Sequence, residues 1–319
     1  MFYKEVRVAY YVRSPGTCGE FIQGAIDGQS FLVTCPINRY SYALSDVVFP
    51  LPHQYCSLQP KANDAKRLVE QFLGNKVSLD DLLNKAFIMH QSLTQDRHSN
   101  LSIYVRSDIV QGKGMASSSA DIAVAAMATA LALEKTLSLK ELESICLALE
   151  PTDASFYPGT IQFDYINGQM SRSLGHCPPL KILIFDEGGI IDTICFNQQR
   201  DLQEKIKEKE PIIIEALHIF TKGLVEHDIS LVGEAATLSA FANQRILYKP
   251  HLYEFHEIGL SFGSTGTIIA HSGTIMGLLF PTDSTAIYKC KQYVQQRLPA
   301  LTYIDIVETT NEGLTYVKR

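Results

Sequence analysis

Most of the chemistry visible in this sequence lies in ten residues, Gln111-Gly112-Lys113-Gly114-Met115-Ala116-Ser117-Ser118-Ser119-Ala120. They run into a stretch dense in Ala, Leu and Met, with neither proline nor glycine from 115 to 135, which predicts a long helix buried on most of its surface. A small-residue loop entering a helix suits a polyanion. The first turn leaves backbone N–H groups without partners, the macrodipole places about half a positive charge there, and missing Cβ atoms let phosphate oxygens approach. Ser117, Ser118 and Ser119 add hydroxyls for phosphate oxygens or Mg²⁺, which prefers hard oxygen ligands, and Lys113 adds a mobile charge. The same residues would also serve a serine-capped buried helix with a flexible entry. Two common phosphate motifs fail here. A Walker A loop needs a first glycine where Ser107 stands and no Gly114 after Lys113, and the dinucleotide fingerprint begun at Gly112 and Gly114 meets Ser117 in its third place.

Three other segments carry polar chemistry. Glu150-Pro151-Thr152-Asp153 puts two carboxylates on a turn whose shape Pro151 restricts. Asp153 suits either an active site or a turn cap, and Glu150 either a ligand role or a solvated helix end. His271-Ser272-Gly273-Thr274 lies between two expected strands, where Gly273 permits a positive φ and His271, if exposed, would titrate near neutrality. Near the start, Glu20 and Gln23 are spaced so that both face one side if their segment is helical. The histidines show no H-x₃-H or H-E-x-x-H spacing, and no serine sits in G-x-S-x-G, so zinc and hydrolase motifs are absent.

The elements that must position these residues follow from periodicity and breakers. Strands are expected at 5–13, 30–35, 40–49, 101–105, 180–186, 266–270, 275–280 and 302–308, with a hairpin over 160–174 around Asn167-Gly168. Helical spacing covers 62–73, 79–90, 139–149, 198–209, 211–226, 229–244 and 284–297. The first strand is expected to end at the turn Ser14-Pro15-Gly16, and Cys177-Pro178-Pro179 marks the boundary between a first unit, 1–176, and a second, 177–319. Mixed rather than regular alternation of strand and helix argues for an α+β fold over a doubly wound sheet.

A chain of 319 residues with 46% hydrophobic and 19% charged residues can bury two cores. Its formal charge of −6 repels a phosphate backbone, so nucleic acid is not the expected partner. The longest nearly apolar run, 122–133, is short of the roughly 20 residues that span a membrane, and the N-terminus has no signal-like core. Seven scattered cysteines without a C-x-x-C pair suit free thiols in a reducing cytoplasm.

Three segments, Ser14-Pro15-Gly16-Thr17-Cys18-Gly19-Glu20-Phe21-Ile22-Gln23-Gly24, Gly114-Met115-Ala116-Ser117-Ser118-Ser119 and Ala270-His271-Ser272-Gly273-Thr274-Ile275-Met276-Gly277, resemble in order the signatures of the GHMP kinases. With Glu150-Pro151-Thr152-Asp153, they look most like the L-threonine kinases of the PduX type. The resemblance implies a two-domain α+β fold, an N-terminal ATP-binding domain like domain 2 of ribosomal protein S5 and a ferredoxin-like C-terminal domain. It implies ATP with Mg²⁺, the phosphates wrapped by Lys113, Gly114, Met115, Ala116, Ser117, Ser118 and Ser119, and a threonine hydroxyl placed by Asp153 as catalytic residue. Ser118 and Glu150 would hold the metal, although the family glutamate usually stands farther from the aspartate. Glu20, Gln23, His271, Ser272, Gly273 and Thr274 are the candidates for binding the small-molecule substrate, with Arg13, Arg39 or Lys113 for its carboxylate. The product would be O-phospho-L-threonine, the source of the aminopropanol linker of cobalamin. Homoserine as acceptor and a non-catalytic nucleotide-binding regulator are the alternatives.

Overall fold

A computed structural model of the chain describes residues 10–45, 60–74, 103–189 and 201–318. The helix expected over 79–90, the outer ends of the strands expected over 5–13 and 40–49, and Cys56 and Cys195 lie outside the described residues. The frame is a ten-stranded sheet, antiparallel at every described pairing, that begins with two long strands, β1 (Tyr10–Ile26) and β2 (Gln29–Ser45). Asp27 and Gly28 join them, both at positive φ (51° and 76°), the geometry that a two-residue hairpin needs. The chain does not turn at Ser14-Pro15-Gly16. Instead β1 continues, and its register against β2 slips three times between Pro15 and Ile22, so bulges absorb the proline and glycines. Likewise the stretch expected from 30 and the described part of the one expected from 40 are one strand, β2, running through Pro36.

Next come α1 (Pro60–Leu73), β3 (Ile103–Ser107), α2 (Ser117–Ala132), α3 (Leu139–Leu149), β4 (Thr160–Phe163) and β5 (Ser171–Gly175). α2 is buried from Ser119 to Leu131, as its composition demands, and packs with α1, α3 and the outer half of β1 in one core. α3 starts on a capping box in which Ser138 and Glu141 satisfy each other's backbone N–H groups. The β4–β5 turn is tied by Asp164, whose carboxylate accepts from the N–H groups of Ile166, Asn167 and Gln169.

The second half holds β6 (Leu180–Asp186), α4 (Leu202–Glu226), α5 (Ile229–Ala242), α6 (Leu252–Ser261), β7 (Gly266–Ile269), β8 (Ile275–Pro281), α7 (Ala286–Arg297), β9 (Thr302–Glu308) and β10 (Thr315–Lys318). The strands lie in the order β7-β8-β6-β9, so β6, helices, β7, β8, α7 and β9 form a ferredoxin-like βαββαβ layer. α4 merges the helices expected over 198–209 and 211–226. Pro211 lies inside it, while Ile206, Ile213, Ala216 and Phe220 keep one buried stripe across the proline. Strand β6 splits its side chains: Leu180, Ile182 and Ile184 join the core under α4 and α5, while Leu183 and Phe185 join that under α6 and α7.

The halves share the sheet. Glu20 of β1 pairs with Ile269 of β7, and β10 returns to pair with the start of β1. At this seam Gly19 has φ +63°, and a Cβ there would sit 2.3 Å from the Ile269 carbonyl oxygen, so only glycine fits. No helix among the described residues is long and apolar enough to cross a membrane.

Candidate active site

The loop from Gln111 to Ala116 is held from two sides. Thr17 donates its N–H to the Met115 carbonyl at 3.0 Å, and Thr274 donates to the Lys113 carbonyl at 3.1 Å. Gly114 (φ +84°) and Gly273 meet backbone to backbone. A Cβ on Gly273 would lie 2.3 Å from the Lys113 oxygen, and one on Gly114 would lie 2.6 Å from Ala270 Cβ. The three distant sequence segments therefore meet at this loop. Lys249 supports the third from beneath: it is 2% exposed and donates from Nζ to the Gly273 carbonyl at 2.9 Å. Burial draws its pKa down to about 8, against the pull of Glu187 and Asp186.

Ala116 enters α2 in the left-handed conformation (φ 56°) and gives no side-chain cap, so the first N–H groups of the helix stay available. The first residues of the helix, Ser117 and Ser118, line a cavity of about 350 Å³ with Pro60, Lys61, Ala62, Gln111, Gly112 and Asp121. The remaining loop residues work differently. Met115 is buried and contributes its carbonyl as an anchor, Ser119 is buried with its Oγ accepting the Asp153 N–H at 3.3 Å, and Lys113 is paired to Asp186 at 2.7 Å. Burial would raise Asp186, but Lys113, Thr274 and the Gly188 N–H outweigh it and hold its pKa low.

On the other side of the loop, Gly114 helps line a tight pocket of about 50 Å³ with Glu20, Leu32, Pro151, Thr152, Asp153, Tyr165, His271 and Ser272. Glu20 and Gln23 reach it from a strand, not from a helix face as their spacing suggested. Glu20 lines the pocket. Gln23 stands behind it, its Oε1 hydrogen-bonded to His271 Nδ1 at 3.1 Å. Burial raises Asp153 to about 6 and raises Glu20 well above the usual carboxylate range, the adjacent Asp153 charge adding to the shift of Glu20. His271 is not exposed and does not titrate near neutrality: burial, helped by the charge of Lys209, pushes it down to about 3, and its ring meets that of Tyr165 edge-on at 5.0 Å. Thr274 and Gly273 face the loop rather than this pocket, and neither Arg13 nor Arg39 lines it; those arginines pair with Glu312 and Asp305.

Glu150 ends α3 and pairs with Lys61, one of the residues lining the large cavity. The carboxylate that does line that cavity is Asp121, 5% exposed, which accepts from Ser41 Oγ. Asp121 had a local signal, being the one charged residue in the apolar helix 117–132. Lys209, Lys249 and Tyr165 had none. An oxygen-seeking Mg²⁺ fits the Ser118 hydroxyl and the Asp121 carboxylate. No group of three His, Cys, Asp or Glu side chains that could hold a metal lies among the described residues.

A cavity at an open helix N-terminus, separated by one loop from a small acidic pocket, is the layout of a phosphotransferase for a small molecule. The chain matches the GHMP kinases N terminal domain over residues 81–157 and the GHMP kinases C terminal over 220–298, and it belongs to the GHMP kinases. It is similar to the L-threonine kinase of Salmonella typhimurium (29% identity over 277 residues, 87% of this chain and 85% of that one). It is also similar to the L-threonine kinase of Citrobacter freundii (28% over 283 residues, 89% and 90%). Among solved structures, homoserine kinase from Cytophaga hutchinsonii superposes with a TM-score of 0.64 at 14% identity, covering 99% of this chain and 100% of that one.

Proposed function

We propose that this protein transfers the γ-phosphoryl group of ATP to the hydroxyl of free L-threonine, giving O-phospho-L-threonine and ADP. The observation that carries the reading is the shared wall: the 111–116 loop lines the cavity at the α2 N-terminus with Gln111 and Gly112, and the acidic pocket with Gly114. Similarity to two L-threonine kinases along most of the chain selects threonine among small alcohols.

In this reading Gly112, Ser117, Ser118 and the first N–H groups of α2 bind the phosphates, as a helix N-terminus does for anions. Ser118 and Asp121 hold Mg²⁺, which supplies charge neutralisation at the phosphates; Glu150 acts at one remove by pairing Lys61. Asp153, its backbone fixed by Ser119, orients the threonine hydroxyl and takes its proton. Glu20 faces the substrate ammonium, while His271 and Ser272 close the pocket. Residues 1–176 form the ATP-binding domain and 177–319 the C-terminal domain. The product supplies the aminopropanol linker of cobalamin, and the buried free thiols of Cys18, Cys35, Cys146, Cys177 and Cys290 suit the cytoplasm.

The test is ADP release with Mg-ATP and L-threonine, L-serine, L-homoserine or mevalonate, each against a blank without acceptor. L-Threonine is expected to give the highest kcat/KM; preference for another alcohol would keep the kinase and replace the substrate.

A further inference from the structure

A buried polar cluster behind His271 has no part in the phosphate cradle or in the proton transfer. Lys209, in the middle of α4, is 5% exposed and donates from Nζ to Asn243 Oδ1 at 2.7 Å. Burial draws its pKa down to about 7, and no carboxylate among the described residues stands near enough to oppose the shift. Gln23 of β1 is tied to both helices around the cluster. Its N–H donates to Ser239 Oγ of α5 at 2.9 Å, and the next residue, Gly24, is so close to α4 that a Cβ would lie 2.8 Å from Ile213. Ser239 is one turn before Asn243 and Ile213 one turn after Lys209, so the three elements bring Lys209, Asn243 and Gln23 together.

From there the cluster reaches the pocket, because Gln23 bonds to His271 and His271 lines the pocket with Glu20 and Asp153. Two buried donors in the cluster, Gln23 Nε2 and Asn243 Nδ2, have no acceptor among the described residues. A nearby anion would favour the protonated form of Lys209 and offset the burial that opposes it. The charged residues lining the pocket itself are carboxylates, and the charge of Lys209 is felt at His271, which lines it. An α-amino acid carries both complements, an ammonium for Glu20 and a carboxylate for the cluster.

We propose that Lys209, held by Asn243 behind His271, is the charge-complementing group for the acceptor's carboxylate, acting by its charge across His271 rather than by contact, and that it restricts the enzyme to hydroxy-α-amino acids. This inference rests on the threonine kinase reading above.

The test compares L-threonine with (R)-1-amino-2-propanol, the same molecule with hydrogen in place of the carboxylate, on wild type, Lys209→Met and Lys209→Arg. Wild type is expected to show a KM for L-threonine about tenfold or more below that for the amino alcohol. Lys209→Met should raise the threonine KM about tenfold, change kcat less than about threefold, and leave the amino-alcohol KM unmoved, with Lys209→Arg restoring most of the loss. Equal KM values for the two acceptors on wild type, which needs no variant to fold, would overturn the inference. So would a parallel rise for both acceptors in Lys209→Met. Wild type that ignores L-threonine yet phosphorylates another alcohol would overturn the threonine reading, and this inference with it.

Discussion

Asp153 and Glu20 share one small pocket, and burial keeps protons on both to higher pH than in water. The sign of the consequence is opposite to that of an ordinary salt-bridged aspartate. Folded Asp153 holds its proton up to about 6, whereas the unfolded group releases it near 3.8, so between these values the folded state binds more protons and stability falls as pH rises. On the proposed mechanism turnover runs the other way, since only the ionised carboxylate would accept the threonine proton. We predict that kcat falls as pH drops through about 6, while urea denaturation shows wild type losing stability between pH 4 and 6 relative to Asp153→Asn. A flat kcat profile across that window would detach Asp153 from the chemistry. Ser118, Asp153 and the glycines were legible in the sequence because their meaning is local: a loop before a helix, an acid on a proline-bearing turn. Lys209 and Lys249 were not, because each is made unusual only by burial among residues far away in the chain.

The loop and the third segment work as one element, locked through glycine contacts. Gly273→Ala would drive a Cβ to 2.3 Å from the Lys113 carbonyl, backbone against backbone, whereas Gly112 (φ +71°) has open space around it. Gly273→Ala should therefore cost about 2–3 kcal/mol of stability and weaken ATP binding with it. Gly112→Ala should cost only about 1 kcal/mol, the strain of its backbone angle. Calorimetric Tm and ATP titration check both, and equal effects at the two glycines would dissolve the proposed lock. Regular helices and the ferredoxin-like strands were readable from periodicity. The long strands were not: Ser14-Pro15-Gly16 read as a turn and the second strand was expected in two pieces, yet the sheet carries the chain through Pro15 and Pro36, with bulges at the first. Similarly, Pro211 divides α4 in sequence but not in space, because a continuous buried stripe overrides the local penalty. α6 and β10 were not expected, although Leu252, Phe255 and Ile258 carry helical spacing; β10 is held by its pairing with β1.

The whole molecule explains why one sheet serves two halves. The pocket draws Glu20 and Asp153 from the first half and His271 and Ser272 from the second, and the Glu20–Ile269 pairing fixes one relative to the other. Cys18, Phe21 and Phe31 from the first half pack in one core with Ile213, Phe220 and Ile268 from the second, so the pocket walls rest on a common apolar base. The boundary expected at 177 rests only on a proline pair, and the sheet continuity across that point depends on strand pairing at a separation of about 250 residues, which no local pattern encodes.

The central claim is that phosphoryl transfer happens in the pocket these halves enclose, with Asp153 placing the acceptor hydroxyl. The most direct measurement is kcat of Asp153→Asn with Mg-ATP and L-threonine, alongside ATP affinity by calorimetry and a Tm to show that the variant folds. The account predicts a fall in kcat of about 100-fold or more with ATP affinity within about twofold of wild type. A folded Asp153→Asn enzyme that turns over L-threonine at the wild-type rate would contradict it.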